Sequence, residues 1–206
     1  KASNGRIGYI YIPDMGPEGL NEFSRYFYPQ LDKEGLIIDD RANGGGNVSP
    51  MILERLSREP YRLTMRRGSA RIGTVPDAVQ VGPKVCLINK YSASDGDLFP
   101  WGFRALGLGK LIGTRTWGGI VGISGSLPYM DGTDIRVPFF TSFDPKTGSW
   151  IIENHGVDPD ILIDNDPVKE WNGEDQQLDR AIQEVMKELQ NRKPLPGVPT
   201  PRDFSK

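Results

Sequence analysis

The hydrophobic pattern alternates between short apolar runs and segments of helical period. Four apolar runs have the length of buried strands: residues 6–12, 35–39, 84–90 and 110–114. Between them, apolar side chains recur every three or four positions, as Leu20, Phe23, Phe27 and Leu31 do near the start of the chain. Such alternation is typical of parallel strands joined by crossover helices, so we predict an α/β fold with a parallel-rich sheet.

The second half of the chain follows a different pattern. Residues 124–152 form shorter, more polar β segments punctuated by Gly and Pro, which predicts a hairpin-rich extension. Residues 178–189 then have the period of a closing amphipathic helix. We predict one domain over residues 1–191, and a Pro-rich tail over 192–206 that is extended or disordered. Earlier in the chain, Ser49 and Pro50 predict a helix start, with Ser49 as the N-cap.

Composition excludes several classes of partner and site. The 25 basic and 27 acidic residues give a net charge of −2 without blocks of like charge, so neither nucleic acid nor an anionic membrane surface is an expected partner. No apolar stretch reaches the roughly 18 residues of a membrane span. Cys86 lies inside an apolar run and is predicted to be a buried structural residue. With one His and one Cys, the chain predicts no metal site, and no cofactor is expected.

Two features that suit acyl chemistry follow predicted strands. The first is the triple glycine at Gly44, Gly45 and Gly46, and the second is the turn over residues 92–97. A serine on a strand-to-helix turn can project its hydroxyl into a cleft, while nearby amides stabilise a developing oxyanion. This predicts Ser94 as a nucleophile and the amides of Asp95 and Gly45 as donors. The alternatives are an ordinary tight turn and an ordinary helix N-cap.

The general base is less evident from the residues. His155 lies two positions from Glu153 on an extended segment, so the two side chains could share a face and complete a Glu–His–Ser set. Alternatively, His155 is a solvated loop residue and Glu153 a surface acid. Asp39 and Asp40 are interpreted as turn and salt-bridge residues, because consecutive strand residues point to opposite faces. Arg66 and Arg67 could bind an acidic substrate, or form a solvated basic turn.

Four blocks, in this order, carry a family resemblance: IIDDRANGGGNVS, NKYSASDGDLFP, GTRTWGGIVGI and ENHGVDPDI. Together they resemble the tricorn proteases and, more distantly, the C-terminal-processing serine peptidases, over about residues 6–190. The resemblance implies a crotonase-like fold and peptide hydrolysis through an acyl-enzyme. It assigns Ser94 as nucleophile, places the oxyanion amides at Asp95 and Gly45 with Gly44 as the alternative, and makes Gly46 part of the substrate-binding turn. Glu153 matches the tricorn glutamate that orients the catalytic histidine through a serine.

Two departures from the family pattern shape the expected function. The processing peptidases carry a lysine in the block that reads TWGGIVG here; the expected position is Gly119, so a Ser–Lys dyad is not available. In tricorn proteases the histidine and its serine lie in an earlier subdomain, beyond a PDZ domain. We therefore expect the general base to come from upstream subdomains of the same polypeptide, which would form a homo-oligomer. The expected ligand is a peptide.

One specificity element of the family is also missing. Tricorn proteases select basic side chains with an acidic residue, which would fall around residues 63–67, where this chain has Arg66 and Arg67 instead. The two arginines could therefore favour acidic substrates. Two other functions remain alternatives: an acyl-thioester lyase or isomerase on the same fold, and a peptide-binding module without catalysis.

Overall fold

The computed structural model describes residues 2–69 and 71–200, except for the side chains of residues 124–127. Its centre is a five-stranded parallel sheet in the order β1-β2-β5-β6-β9. The sheet strands are β1 (Ile7–Tyr11), β2 (Gly35–Asp39), β5 (Lys84–Ile88), β6 (Gly109–Gly113) and β9 (Ile161–Leu162). The predicted α/β class is confirmed; the crotonase-like assignment stays a prediction.

Helices cover both faces of the sheet. On one face, α1, α2 and α3 pack over alternate strand residues such as Ile38, Cys86 and Ile88, and these side chains belong to the larger apolar core. On the other face, α5 packs over the intervening residues, among them Ile37 and Leu87. The helices are α1 (Pro17–Phe27), α2 (Ser49–Leu56), α3 (Asp95–Ala105), α4 (Pro167–Trp171) and α5 (Gln176–Asn191), and a 3-10 turn at Tyr28–Gln30 follows α1. Cys86 is fully buried, as predicted.

Two antiparallel hairpins lie outside the central sheet. Strands β7 (Gly122–Pro128) and β8 (Asp134–Phe140) form the hairpin that the Gly and Pro punctuation predicts, and every residue of β8 is exposed. Strands β3 (Arg62–Met65) and β4 (Ile72–Val75) form a second hairpin that the sequence pattern did not reveal. Residues 192–200 of the predicted tail contain no helix or strand, and residues 201–206 lie outside the described part of the chain.

One predicted helix cap was wrong. Ser49 is the first residue of α2 rather than its N-cap, which is Val48. The reason is a tertiary contact: both the Ser49 amide and its hydroxyl donate to the Asp95 carboxylate, 46 residues away, so the side chain bonds to α3 instead of capping its own helix. Within residues 2–69 and 71–200, no helix is long and apolar enough to cross a membrane.

Candidate active site

Ser94 lies between strand β5 and helix α3, at the carboxyl end of the parallel sheet. Its φ of 58° and ψ of −119° are a conformation that non-glycine residues rarely adopt. Although Ser94 occupies the N-cap position of α3, its side chain makes no capping hydrogen bond to that helix. The N-cap alternative therefore does not hold, and the hydroxyl is left at the tip of a strained strand-to-helix turn, as in nucleophile elbows.

The glycine turn packs directly against Ser94. A methyl group built on Gly45 would come within 2.6 Å of the Ser94 Cβ and within 2.9 Å of the Asp95 nitrogen, and Gly45 has a φ of +98°. Only glycine satisfies both conditions, so the two turns predicted at neighbouring strand ends do meet. In the described part of the chain the Asp95 amide donates to no acceptor, which leaves it available to an oxyanion.

The Gly45 amide, by contrast, is engaged. It donates to the Asn43 Oδ1 at 3.0 Å. Among the described residues, the amides of Gly44 and Gly46 have no acceptor. Gly46 lies against the backbone that follows β1, since an added methyl group would come within 2.0 Å of the Met15 carbonyl oxygen. The turn therefore offers amides on both sides of Gly45, while Gly45 itself provides the close approach to Ser94.

Asn43 joins the two turns, a role that the sequence did not indicate. Besides holding Gly45, it donates from Nδ2 to the Ile12 carbonyl at 3.1 Å and accepts the Ala93 amide on its own carbonyl at 2.8 Å. Its side chain is fully buried. One residue thus connects the end of β1, the glycine turn and the serine turn. Its position directly before the triple glycine was the only available signal.

Asp95 and Asp97 anchor the first turn of α3 through their side chains. The Asp95 carboxylate accepts both donors of Ser49, which ties the start of α3 to the start of α2. The Asp97 carboxylate accepts the Gly118 amide at 2.8 Å and the Gly119 amide at 3.3 Å. Burial raises the pKa of Asp97, and these hydrogen bonds partly offset the effect. Both acids are thus held in place by other segments of the chain, just after the nucleophile.

The loop over residues 116–121 connects the serine turn with Glu153. On one side, the Trp117 amide donates to the Ser92 carbonyl at 2.9 Å. On the other side, Glu153 Oε2 accepts the amides of Ile120 at 2.7 Å and Val121 at 2.9 Å. One carboxylate oxygen of the half-buried Glu153 thus holds this loop, and the other oxygen has no partner in the described part of the chain.

His155 does not contact Ser94 or Glu153 through any hydrogen bond of the described residues. Its side chain is 55% exposed, and its Nε2 lies 2.7 Å from Asp158 Oδ2. The Glu–His–Ser set is therefore not assembled in this structure. A methyl group at the Gly119 position would approach the Trp117 ring to 2.2 Å, so a side chain there requires this exposed ring to move.

The two candidate arginines and the two consecutive aspartates lie in different surroundings. Arg66 and Arg67 are exposed at the turn between β3 and β4, so this segment is a basic hairpin turn. Asp39 forms an ion pair with Arg41 at 2.6 Å, as interpreted. The same interpretation was wrong for Asp40, which is fully buried, with both carboxyl oxygens lacking a hydrogen-bond partner among the described residues. Its charged neighbours include Asp95 and Asp97 of α3, so it is not the solvated turn residue that was interpreted.

Comparisons with known proteins agree with this geometry. The model of peptidase family S41 matches residues 6–163. The chain is 46% identical over 194 residues to the tricorn protease of Thermoplasma volcanium, covering 93% of the chain and 18% of that protein. It is 39% identical over 180 residues to tricorn protease homolog 1 of Streptomyces coelicolor, covering 87% of the chain and 17% of that protein. The chain therefore spans less than a fifth of the length of these relatives.

Solved structures give the same result. A crystal structure of the tricorn protease superposes with a TM-score of 0.85 at 44% identity, over 92% of this chain and 18% of that one. The photosystem II D1 C-terminal processing protease superposes with a TM-score of 0.55 at 22% identity, over 77% of this chain and 42% of that one. At that identity, the second similarity concerns the fold alone. The resemblance to the tricorn proteases is thereby confirmed.

Proposed function

Because the chain belongs to peptidase family S41, as a serine-type peptidase domain of the tricorn type, we propose that it cleaves peptide bonds through an acyl-enzyme on Ser94. The observation that carries this proposal is the strained Ser94 turn, with its hydroxyl free of the helix and the Asp95 amide beside it. The ligand is a peptide, and the proposed chemistry requires no cofactor.

In the proposed reaction, the Ser94 hydroxyl attacks the carbonyl carbon of the scissile bond. The carbonyl oxygen becomes an oxyanion that accepts from the Asp95 amide and from a glycine amide of the facing turn. Since the Gly45 amide is held by Asn43, we assign the second donor to its neighbours, Gly44 or Gly46. The leaving amine takes a proton and departs, and water then hydrolyses the acyl-enzyme.

The general base is proposed to lie outside this chain. A serine hydroxyl needs a base within hydrogen-bond reach, and the chain's only histidine is paired with Asp158 on the surface. The upstream subdomains implied by the tricorn resemblance would supply a histidine and a serine, and the serine would link that histidine to the free oxygen of Glu153. We call this chain together with those upstream subdomains the extended protein; its assembly into a homo-oligomer is part of the same proposal.

Glu153 is expected to act through its charge as well as through the loop that it holds. Glu153→Gln keeps an oxygen that can accept the Ile120 and Val121 amides, so the melting temperature should change little. Peptidase activity of the extended protein should fall by as much as about 10⁴-fold, the loss when the carboxylate that orients the histidine of a serine protease is replaced by its amide. Equal activity of the Gln and wild-type proteins, measured as kcat/KM, would reduce Glu153 to a loop anchor.

Arg66 and Arg67 are proposed to bind acidic side chains of the substrate. Both guanidinium groups are exposed at the tip of the β3–β4 hairpin. In the extended protein, the Arg66→Ala, Arg67→Ala double variant should shift the kcat/KM ratio of matched acidic and basic peptides towards the basic peptide by about tenfold. Arg71→Ala, which removes an exposed arginine at the far side of the hairpin turn, serves as the matched control. An unchanged ratio would contradict the proposal.

The test of the proposed function is detection of the acyl-enzyme. A peptide ester should acylate the extended protein faster than the adduct hydrolyses, giving a burst of alcohol and a mass increase on the tryptic fragment that contains Ser94. The rival acyl-thioester lyase would stabilise an enolate with the same glycine turn and needs no serine adduct. Turnover of peptide esters without an adduct on Ser94 would contradict the acyl-enzyme proposal.

A further inference from the structure

Asp40 is a buried acid that the proposed reaction does not use. It follows the last residue of β2 and is fully buried, and neither of its carboxyl oxygens has a hydrogen-bond partner among the described residues. The Asn43 side-chain amide is near enough to favour the ionised carboxylate, but among the described residues its Nδ2 donates to the Ile12 carbonyl, at 3.1 Å, and not to Asp40. An ionised carboxylate in such a place would be costly, because none of the described residues donates a hydrogen bond to it in place of the lost water.

Three other acids lie around Asp40. Asp39 on the same strand and Asp95 and Asp97 on α3 lie close enough to oppose a further negative charge, and the Cys86 thiol of β5 is buried beside it. The pKa of the Asp40 carboxyl is accordingly raised well above its usual range, first by burial and then by these three carboxylates. Burial and the same acid also raise the pKa of the Cys86 thiol.

The backbone of Asp40 is the point from which both catalytic turns are held. Its carbonyl accepts the Ser92 hydroxyl at 2.8 Å and the Asn43 backbone amide at 3.3 Å, and its amide donates to the Leu87 carbonyl at 2.9 Å. Ser92 begins the serine turn, and Asn43 precedes the glycine turn. The Asp40 backbone is therefore bonded to a residue of each turn, so a displacement of Asp40 would strain both.

We infer that Asp40 is kept as an uncharged acid beneath the serine turn, and that it is a positioning residue whose ionisation loosens the site at high pH. The positioning half of this inference rests on the proposed function, because it concerns the reactivity of Ser94. The uncharged state of Asp40 does not rest on the proposed function, because it is argued from the burial of the side chain and its missing hydrogen-bond partners.

The uncharged state is tested by the pH dependence of stability. Below about pH 4 an aspartate is protonated in the unfolded chain as well, so Asp40 then carries no penalty. As the pH rises, the unfolded carboxyl ionises while the buried one does not, and the wild-type chain loses stability until the pH passes the folded-state pKa. The Asp40→Asn variant has no carboxyl at this position, so this part of the pH dependence would be absent from it.

In Asp40→Asn, the gain in melting temperature over the wild-type chain should grow by about 5 °C or more between pH 4 and pH 8. Asp40→Leu, which also removes the unpartnered oxygens, should show the same growth if the asparagine variant folds poorly. Asp134→Asn, a change of an exposed acid on β8, should show no growth. If the difference in melting temperature between variant and wild type stays constant or shrinks with rising pH in both Asp40 variants, the inference is overturned.

The positioning role is tested by the labelling rate of Ser94. In the extended protein, labelling by a fluorophosphonate should decline by about tenfold at alkaline pH in the wild type, and Asp40→Asn should remove this decline. A decline that persists in Asp40→Asn would overturn the positioning role. Absence of labelling in every variant would overturn the proposed function together with that role, whereas a widening gap in melting temperature would still support the uncharged acid.

Discussion

A Ser94→Ala variant of the extended protein is expected to lose peptidase activity by about 10⁶-fold, the cost of removing the nucleophile of a serine peptidase. The reason is that Ser94 combines a hydroxyl free of the helix with a neighbouring amide that has no acceptor in the described structure. The measurement is kcat on a peptide substrate at saturation. Activity at the wild-type level would contradict the account and favour the lyase alternative.

Two controls separate chemistry from folding in this experiment. Ser149→Ala removes a hydroxyl from an exposed residue far along the chain and should leave kcat unchanged. The melting temperature of Ser94→Ala should be equal to or higher than that of the wild type, because the strained turn keeps its backbone while the side chain makes no capping bond. A collapse of stability in Ser94→Ala would instead identify the serine as structural.

Gly45→Ala should disable the site without replacing any group that reacts. The added methyl group would lie 2.6 Å from the Ser94 Cβ and 2.8 Å from the Ala93 carbonyl oxygen, so one of the two turns must move. Displacement of a catalytic group by about 1 Å costs roughly 10²-fold, and the φ of +98° adds backbone strain. We expect kcat/KM to fall by about 10²-fold or more, with a lower melting temperature.

The matched control for Gly45→Ala is Gly44→Ala. It adds the same group to the same turn, but the methyl meets no atom within 4 Å, and the amide is retained. The melting temperature of this variant should remain near that of the wild type. If Gly45→Ala and Gly44→Ala behaved alike in both measurements, the close contact of the two turns would not be what positions Ser94.

The central sheet could be predicted because its residues determine it locally. Strand β2 coincides with its predicted run, since an uninterrupted apolar segment between polar turns has no other place to be buried. The hairpin of β3 and β4 could not be predicted in the same way. Its residues are only half-buried or exposed, so their apolar positions show neither the two-residue period of a strand nor the helical period.

The sequence could predict which residues meet at the site, but not the long-range hydrogen bonds that hold them there. Ser94 and the glycines follow strands, and the ends of parallel strands share an edge, which is why they could be paired from the sequence. The contacts of Asn43 with Ile12 and Ala93 span 31 and 50 positions, and no local pattern encodes them. Ser49 was assigned to the wrong role for the same reason, because its partner is Asp95 on another helix.

The surroundings of Asp40 could not be predicted from the alternation of side chains between the two faces of a strand. The pattern correctly separates Asp39 from Asp40 onto opposite faces of the strand end. It does not reveal that both acids are buried, or that Asp39 pairs with Arg41 while both carboxyl oxygens of Asp40 lack a hydrogen-bond partner among the described residues. Whether an acid is an ion-pair partner or an uncharged buried group depends on what the rest of the chain packs over it.

The most direct test of the central claim is active-site labelling of this chain and of the extended protein with the same fluorophosphonate, with the modified residue located by mass spectrometry. The account predicts labelling of Ser94 in the extended protein and little or none in the chain alone, because the general base is upstream. Equal labelling of Ser94 in both would contradict this account, since the chain would then supply its own base, and His155 would be the first residue to replace.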